Sequence, residues 1–262
     1  MACQRLFALL FAGLLMAVTV NLASAEETTR EFYEVRTYQL GENGDPAALD
    51  AYLEKALLPA LQRQGIGPVG VLFDPQAEPA NQQVTVVIPF NSPAQLPEVQ
   101  AALASDEAYQ KAGKDYLELP VDQAPFSRIR SELLIAFESM PRMEAPTESI
   151  APKDERVYEL RTYESATEQK GIVKVHMFNN GEIPIFLDCG IQPVFFGQAI
   201  VGPNCPNLTY LTVYPTDEAR QAGWKAFVAH PDWATLKVKP QYANTVSKIE
   251  KAVLKAKPYS QW

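Results

Sequence analysis

Histidine is nearly missing from this sequence. His176 and His230 are the only two in 262 residues, and neither has a cysteine or an acidic cluster at ligand spacing. Sites that hold zinc or its relatives draw on such clusters, so no metal centre is expected. Cysteine is equally scarce: past the first 25 residues only Cys189 and Cys205 remain. An even pair invites a disulfide in an exported protein. The strand expected between them, over residues 192–200, would hold its ends roughly 25–30 Å apart at about 3.3 Å per residue, against the ~7 Å a disulfide spans. Positive charge is deficient as well, with 23 Lys and Arg against 31 Asp and Glu and a net charge of −8. That balance argues against nucleic acids and anionic membrane surfaces as partners.

Catalytic signatures are also lacking: there is no Gly-x-Ser-x-Gly, no His-Glu-x-x-His and no paired-acid spacing. Gly65-Ile66-Gly67-Pro68-Val69-Gly70 satisfies G-x-G-x-x-G, but it follows a helical pattern and enters a strand. A dinucleotide fingerprint needs the reverse order, so that phosphate meets a helix N-terminus. A helix stop explains these glycines. Asn207-Leu208-Thr209 is a glycosylation sequon, relevant only in a eukaryotic secretory route. The one long apolar run, Leu6 to Val20, follows Arg5 and precedes Ala23-Ser24-Ala25, a small-x-small cleavage site. Residues 1–25 thus read as a signal peptide, which predicts a secreted or periplasmic protein without a membrane span after cleavage.

What the chain does contain is a duplication. Tyr33-Glu34-Val35-Arg36-Thr37-Tyr38 returns 125 residues later as Tyr158-Glu159-Leu160-Arg161-Thr162-Tyr163. At that offset Pro59, Gly65, Ile66, Pro68 and Val69 match Pro184, Gly190, Ile191, Pro193 and Val194, so ten of 37 positions are identical without a gap. An internal repeat is the natural explanation. In repeat one, Asp45-Pro46 opens a helix with apolar residues on one face, Pro59 kinks it and Gly65 ends it. Strands are predicted over 68–73 and 83–90, then a helical stretch begun at Ser92 and restarted at Ser105 to Glu107, then a strand over 128–137. Repeat two retraces this path. Its last segment, Ser247 to Lys257, is rich in Ala and Lys but aligns with the strand from Ser127, so it is assigned as a strand.

The order β-α-β-β-α-β is that of a ferredoxin-like unit, a four-stranded antiparallel sheet with both helices on one face. Two bare sheet faces would gain by packing together, at roughly 25 cal/mol per Å² of apolar area. The expected fold is therefore α+β: residues 31–140 and 155–262 form tandem ferredoxin-like repeats joined by a linker at 141–154, and their antiparallel sheets close an intrachain pseudo-dimer.

These residues resemble the NIPSNAP family, whose units open on a Tyr-Glu-Leu-Arg-x-Tyr strand. Repeat two matches that opening, and repeat one departs only at Val35. The helix ends Pro59 to Gly65 and Pro184 to Gly190, and Ser127-Arg128-Ile129 leading to Ser139-Met140-Pro141, are similar to it too. The resemblance implies the dimeric α/β-barrel fold and its habit of pairing, more than a chemistry.

Two constellations remain as candidates. Glu34, Arg36 and Tyr38, and again Glu159, Arg161 and Tyr163, share one strand face at spacings of about 6.5–7 Å. They would form either a Glu–Arg network along the polar seam between the sheets or the polar part of a ligand pocket. Trp224 and Trp233, with several Phe residues, make repeat two the more aromatic half; this is either a bulkier core or an aromatic-lined pocket for which repeat one is the scaffold. The leading expectation is a small-molecule binding or protein-interaction module taking a small apolar or aromatic ligand, without a cofactor, and able to form homo-oligomers. The alternative is a cofactor-less monooxygenase or isomerase acting on an aromatic or quinone-like substrate. It would use His176 or His230 as base and Arg161 or Tyr163 as anion stabiliser. His230 precedes Pro231 at a helix junction, which favours a capping role.

Overall fold

The strands that open the two halves form where the alternation places them, as β1 (Phe32–Gln39) and β5 (Val157–Glu164). The computed structural model describes residues 29–262, so the expected signal peptide lies outside the described residues. After β1, Asp45 accepts from the backbone N–H groups of Ala47 and Ala48, each at 3.0 Å, and Pro46 occupies the first turn of α1 (Pro46–Tyr52). A π-helical turn, Leu53–Leu57, carries the chain into α2 (Leu58–Arg63) and absorbs Pro59, whose missing N–H cannot continue an ordinary ladder. Repeat two does the same with α5 (Glu168–Met177), a π turn at Phe178–Glu182 and α6 (Ile183–Asp188). Gly65 and Gly190 follow these helices at φ +71° and +72°. A Cβ at either would meet nothing within 4 Å, so left-handed backbone rather than lack of space demands glycine there.

The first half continues through β2 (Gly70–Phe73), β3 (Gln83–Phe90), α3 (Gln95–Ser105), α4 (Glu107–Leu117) and β4 (Arg128–Ala136). The second continues through β6 (Gln192–Val201), β7 (Asn207–Tyr214), α7 (Asp217–Ala229), α8 (Pro231–Leu236) and β8 (Lys248–Ala256). β8 is a strand despite its helical composition, because it is paired on one side with β5 and on the other with β2. Ladder pairing outweighs the few tenths of a kcal/mol per residue that separate helix propensities.

All eight strands are antiparallel and close a barrel in the order β1-β3-β2-β8-β5-β7-β6-β4. Each half contributes four consecutive staves, and the halves meet at β2–β8 and β4–β6. Both seams are short: two residue pairs join β2 to β8 and four join β4 to β6. One apolar core lies under the helices of each half, and a third fills the barrel with residues of both. Tyr33, Tyr158, Phe195 and Trp262 close one end of the barrel. Trp262 is 1% exposed, lies where a Cβ on Gly70 would collide with it, and donates its Nε1–H to the Pro68 carbonyl at 3.2 Å.

The 141–154 segment crosses this closed end, with Met143, Ala145 and Ile150 packed on the barrel core. Buried Arg156 ties it down, donating to the carbonyls of Ala151 (2.8 Å) and Pro146 (3.4 Å) and to the Glu148 carboxylate (2.9 Å). Cys189 and Cys205 flank β6 and are free thiols.

Candidate functional site

Alternation along β1 sends Tyr33, Val35 and Thr37 into the barrel and Glu34, Arg36 and Tyr38 toward the helices. β5 divides in the same way, with Tyr158, Leu160 and Thr162 inside. The Glu-Arg-Tyr faces therefore do not form the expected polar seam between the two sheets; each lies under its own helical layer. A narrow barrel interior offers few partners to a buried charge. The helical side supplies them.

In the first half Glu34, 3% exposed, accepts a bidentate pair from Arg36, Nε at 2.9 Å and Nη2 at 2.8 Å, and a third bond from Ser131 Oγ at 2.7 Å. Arg36 Nη1 also donates to Tyr38 Oη at 3.5 Å. Burial works against the guanidinium charge, but Glu34 and Tyr38 hold its pKa above the ordinary arginine value. Over this pair lies an open cleft of about 520 Å³. Tyr52 and Tyr109 line one wall with their hydroxyls 2.8 Å apart, while Leu96, Leu103, Leu117 and Ile129 supply apolar surface. Burial raises the Tyr52 pKa well above that of a free phenol, so the Tyr52 hydroxyl stays neutral. Gln100 stands at the rim.

In the second half the same motif is covered. Trp224 Nε1 donates to Glu159, Arg220 reaches Glu159 at 3.4 Å, and the Arg161 guanidinium carbon sits 4.1 Å from the centre of the Trp224 ring. Tyr163 and Tyr210 share a 2.9 Å hydroxyl contact, and burial pushes the Tyr163 pKa up to about 12. Lys174 and Glu182 form a buried 2.6 Å ion pair beside Phe178. Phe186, Phe227 and Trp233 complete the packing, the last two with ring centroids 4.6 Å apart. Glu159, Arg161 and Tyr163, expected along the seam, are instead brought together with Trp224 and Trp233 under the helices of the second half. The open cleft is in the half expected to be the scaffold.

The histidines lie apart from both motifs. His176 Nδ1 is 3.0 Å from Tyr242 Oη, and His230 caps α8 by accepting the Asp232 N–H at 3.2 Å. The sequon residue Asn207 is buried, its amide nitrogen directed at the Pro203 and Asn204 carbonyls. Among the described residues no three His, Cys, Asp or Glu side chains come close enough to hold a metal ion, and no helix is long and apolar enough to cross a membrane.

Sequence reasoning missed the cleft wall, Tyr52, Tyr109 and Gln100. A signal for Gln100 was present: counting back six residues from each helix junction, Asp106 and His230, pairs Gln100 with Trp224. It also missed a second cavity, of about 480 Å³, at the barrel end opposite Trp262. Thr37, Thr85, Thr162 and Thr209 ring it, and Glu132 and Arg130 project from β4. Burial pushes the Glu132 carboxyl up to about 7, with Glu250 and Glu164 adding to the effect and Arg130 opposing it.

Among solved structures the fold is similar to two proteins each described as a "putative monooxygenase". The one from Fusobacterium nucleatum is 8% identical with a TM-score of 0.55, over 87% of this chain and 93% of that one. The one from Lactobacillus acidophilus is 12% identical with a TM-score of 0.53, over 87% and 94%. An anthrone oxidase-like protein is 9% identical with a TM-score of 0.50, over 87% and 91%. At these identities the likeness concerns the barrel fold. A search of curated proteins gave no significant match. The NIPSNAP family model matches residues 158–261, beginning on the Tyr-Glu-Leu-Arg-Thr-Tyr strand. The second half of the chain is a NIPSNAP-family domain.

Proposed function

We propose that this chain is an exported small-molecule-binding protein, built from a duplicated ferredoxin-like unit whose two copies form a pseudo-dimeric barrel. The first copy carries the ligand cleft. The observation that supports this is the contrast between copies: a cleft of about 520 Å³ borders the first motif, while Trp224 packs directly on the second. Apolar walls with a few fixed polar groups suit a small ligand. Because Glu34 already neutralises Arg36, the cleft favours an uncharged, apolar or aromatic molecule that exchanges hydrogen bonds with the Tyr52–Tyr109 hydroxyl pair.

The test is Gln100→Trp, which places in the first copy the side chain that fills the second. Small molecules that co-purify with the mature protein are identified by mass spectrometry, and their affinity for both forms is measured by calorimetry. Loss of binding in Gln100→Trp, with the melting temperature kept, supports the proposal. A ligand held equally well by that variant overturns it. The monooxygenase reading is less well served, because neither His176 nor His230 lines either cavity.

A further inference from the structure

The open end of the barrel lies on the opposite face of β1 and β4 from the helix–sheet cleft and differs from it in chemistry. Its floor is apolar, formed by Val35, Leu160 and Leu254. Above the floor Thr85, only 6% exposed, makes no side-chain hydrogen bond with another described residue. Glu132 is likewise without an ion pair or hydrogen bond among the described residues, although it lies between Arg130 on its own strand and Glu250 on β8, the strand directly across the barrel. Asp74 and Glu78 from the β2–β3 loop add two more carboxylates, against Arg130 and Lys251 as the cavity's cations. Nearby, Glu164 and Glu250 share Lys248, and Cys205 lies close enough for the Glu132 charge to raise its thiol pKa, second to burial.

A single metal ion does not suit this arrangement, because no three acidic side chains converge among the described residues. An extended cation suits it better: carboxylates on separate walls can meet separate ammonium groups, and methylenes can lie on the apolar floor. We propose that the mouth of the barrel is a second binding site, for a small linear diamine or polyamine, with one ammonium group on Glu132 and Thr85 and its hydrocarbon against Val35 and Leu160.

An ammonium group favours ionised Glu132, so binding releases a proton near neutral pH and tightens as pH rises through about 7. Spermidine and 1,4-diaminobutane are titrated calorimetrically into the mature protein at pH 6 and pH 8, in buffers of different ionisation heat. The expected result is up to about tenfold tighter binding at pH 8 with net proton release, following the ionised fraction of a group titrating near 7. Glu132→Gln is expected to abolish the pH dependence and weaken binding at pH 8 at least tenfold, while Gln100→Trp leaves both unchanged. Absence of binding at millimolar amine overturns the proposal, as does pH-independent binding or an undiminished affinity in Glu132→Gln. Should Glu132→Gln fail to fold, the pH dependence and proton release of the unaltered protein decide the matter.

Discussion

Trp224 and Gln100 occupy equivalent points of the two halves, each six residues before the junction that ends one helix and caps the next. Trp224 donates to the buried carboxylate of Glu159, whereas Gln100 stands over open space above Glu34. The two halves therefore differ in what stands over the buried carboxylate. Trp224→Ala is expected to cost about 3 kcal/mol through lost packing and a poorly satisfied Glu159. Gln100→Trp is expected to change stability by less than about 0.5 kcal/mol, since it alters an exposed rim. Chemical denaturation of both variants checks the asymmetry.

The buried Lys174–Glu182 pair stands where the first repeat has Leu49 and Leu57. Lys174→Leu leaves a carboxylate in an apolar core and is expected to cost about 3–5 kcal/mol, more at high pH than at low pH because protonation relieves the buried charge. Burial already raises the Glu182 pKa, which sets the sign of that trend. Lys174→Leu/Glu182→Leu restores the apolar pairing of the first repeat. Its stability is expected within about 2 kcal/mol of the unaltered protein, and urea denaturation at pH 5 and pH 8 distinguishes the cases.

Trp262 closes the barrel over Gly70. Trp262→Ala is expected to cost about 3–5 kcal/mol. Gly70→Ala should cost about 1–3 kcal/mol alone and distinctly less in the Trp262→Ala background, because the added methyl then has room. A thermal-melting double-mutant cycle measures the coupling; equal costs in both backgrounds would refute this packing.

Glu132 sets a pH dependence of stability. Its carboxyl is raised to about 7 by burial, so between the unfolded value near 4.5 and about 7 the native state binds more protons than the unfolded chain. Stability from this group is full below that window and falls as pH rises through it. Its partial exposure limits the effect to about 1–2 kcal/mol. Glu132→Gln is therefore expected to match the unaltered protein at pH 4.5 and to exceed it at pH 8 in denaturant titrations.

Local chemistry made much of the fold legible. The Asp45-Pro46 start of α1 and the glycine stops at 65 and 190 follow from capping and backbone freedom. The repeat led to the strand assignment of β8 against its composition. His230 was readable as a cap because Pro231 fixes the junction. The cleft was not readable in the same way, since its walls come from α1, α3, α4 and β4, which lie far apart in sequence.

By itself, the sequence determined the order of strands and helices and the family of its second half, because these rest on local periodicity and on a motif of fixed spacing. Tertiary structure alone decided which face of each motif strand looks into the barrel. Tyr33, Glu34 and Val35 are all buried, so alternation marks two faces but does not say which environment each meets. It also decided which half stays open: Trp224 is an aromatic residue on a helix until the fold sets it over Glu159, and Gln100 is an ordinary polar residue until the same geometry leaves the cleft beneath it.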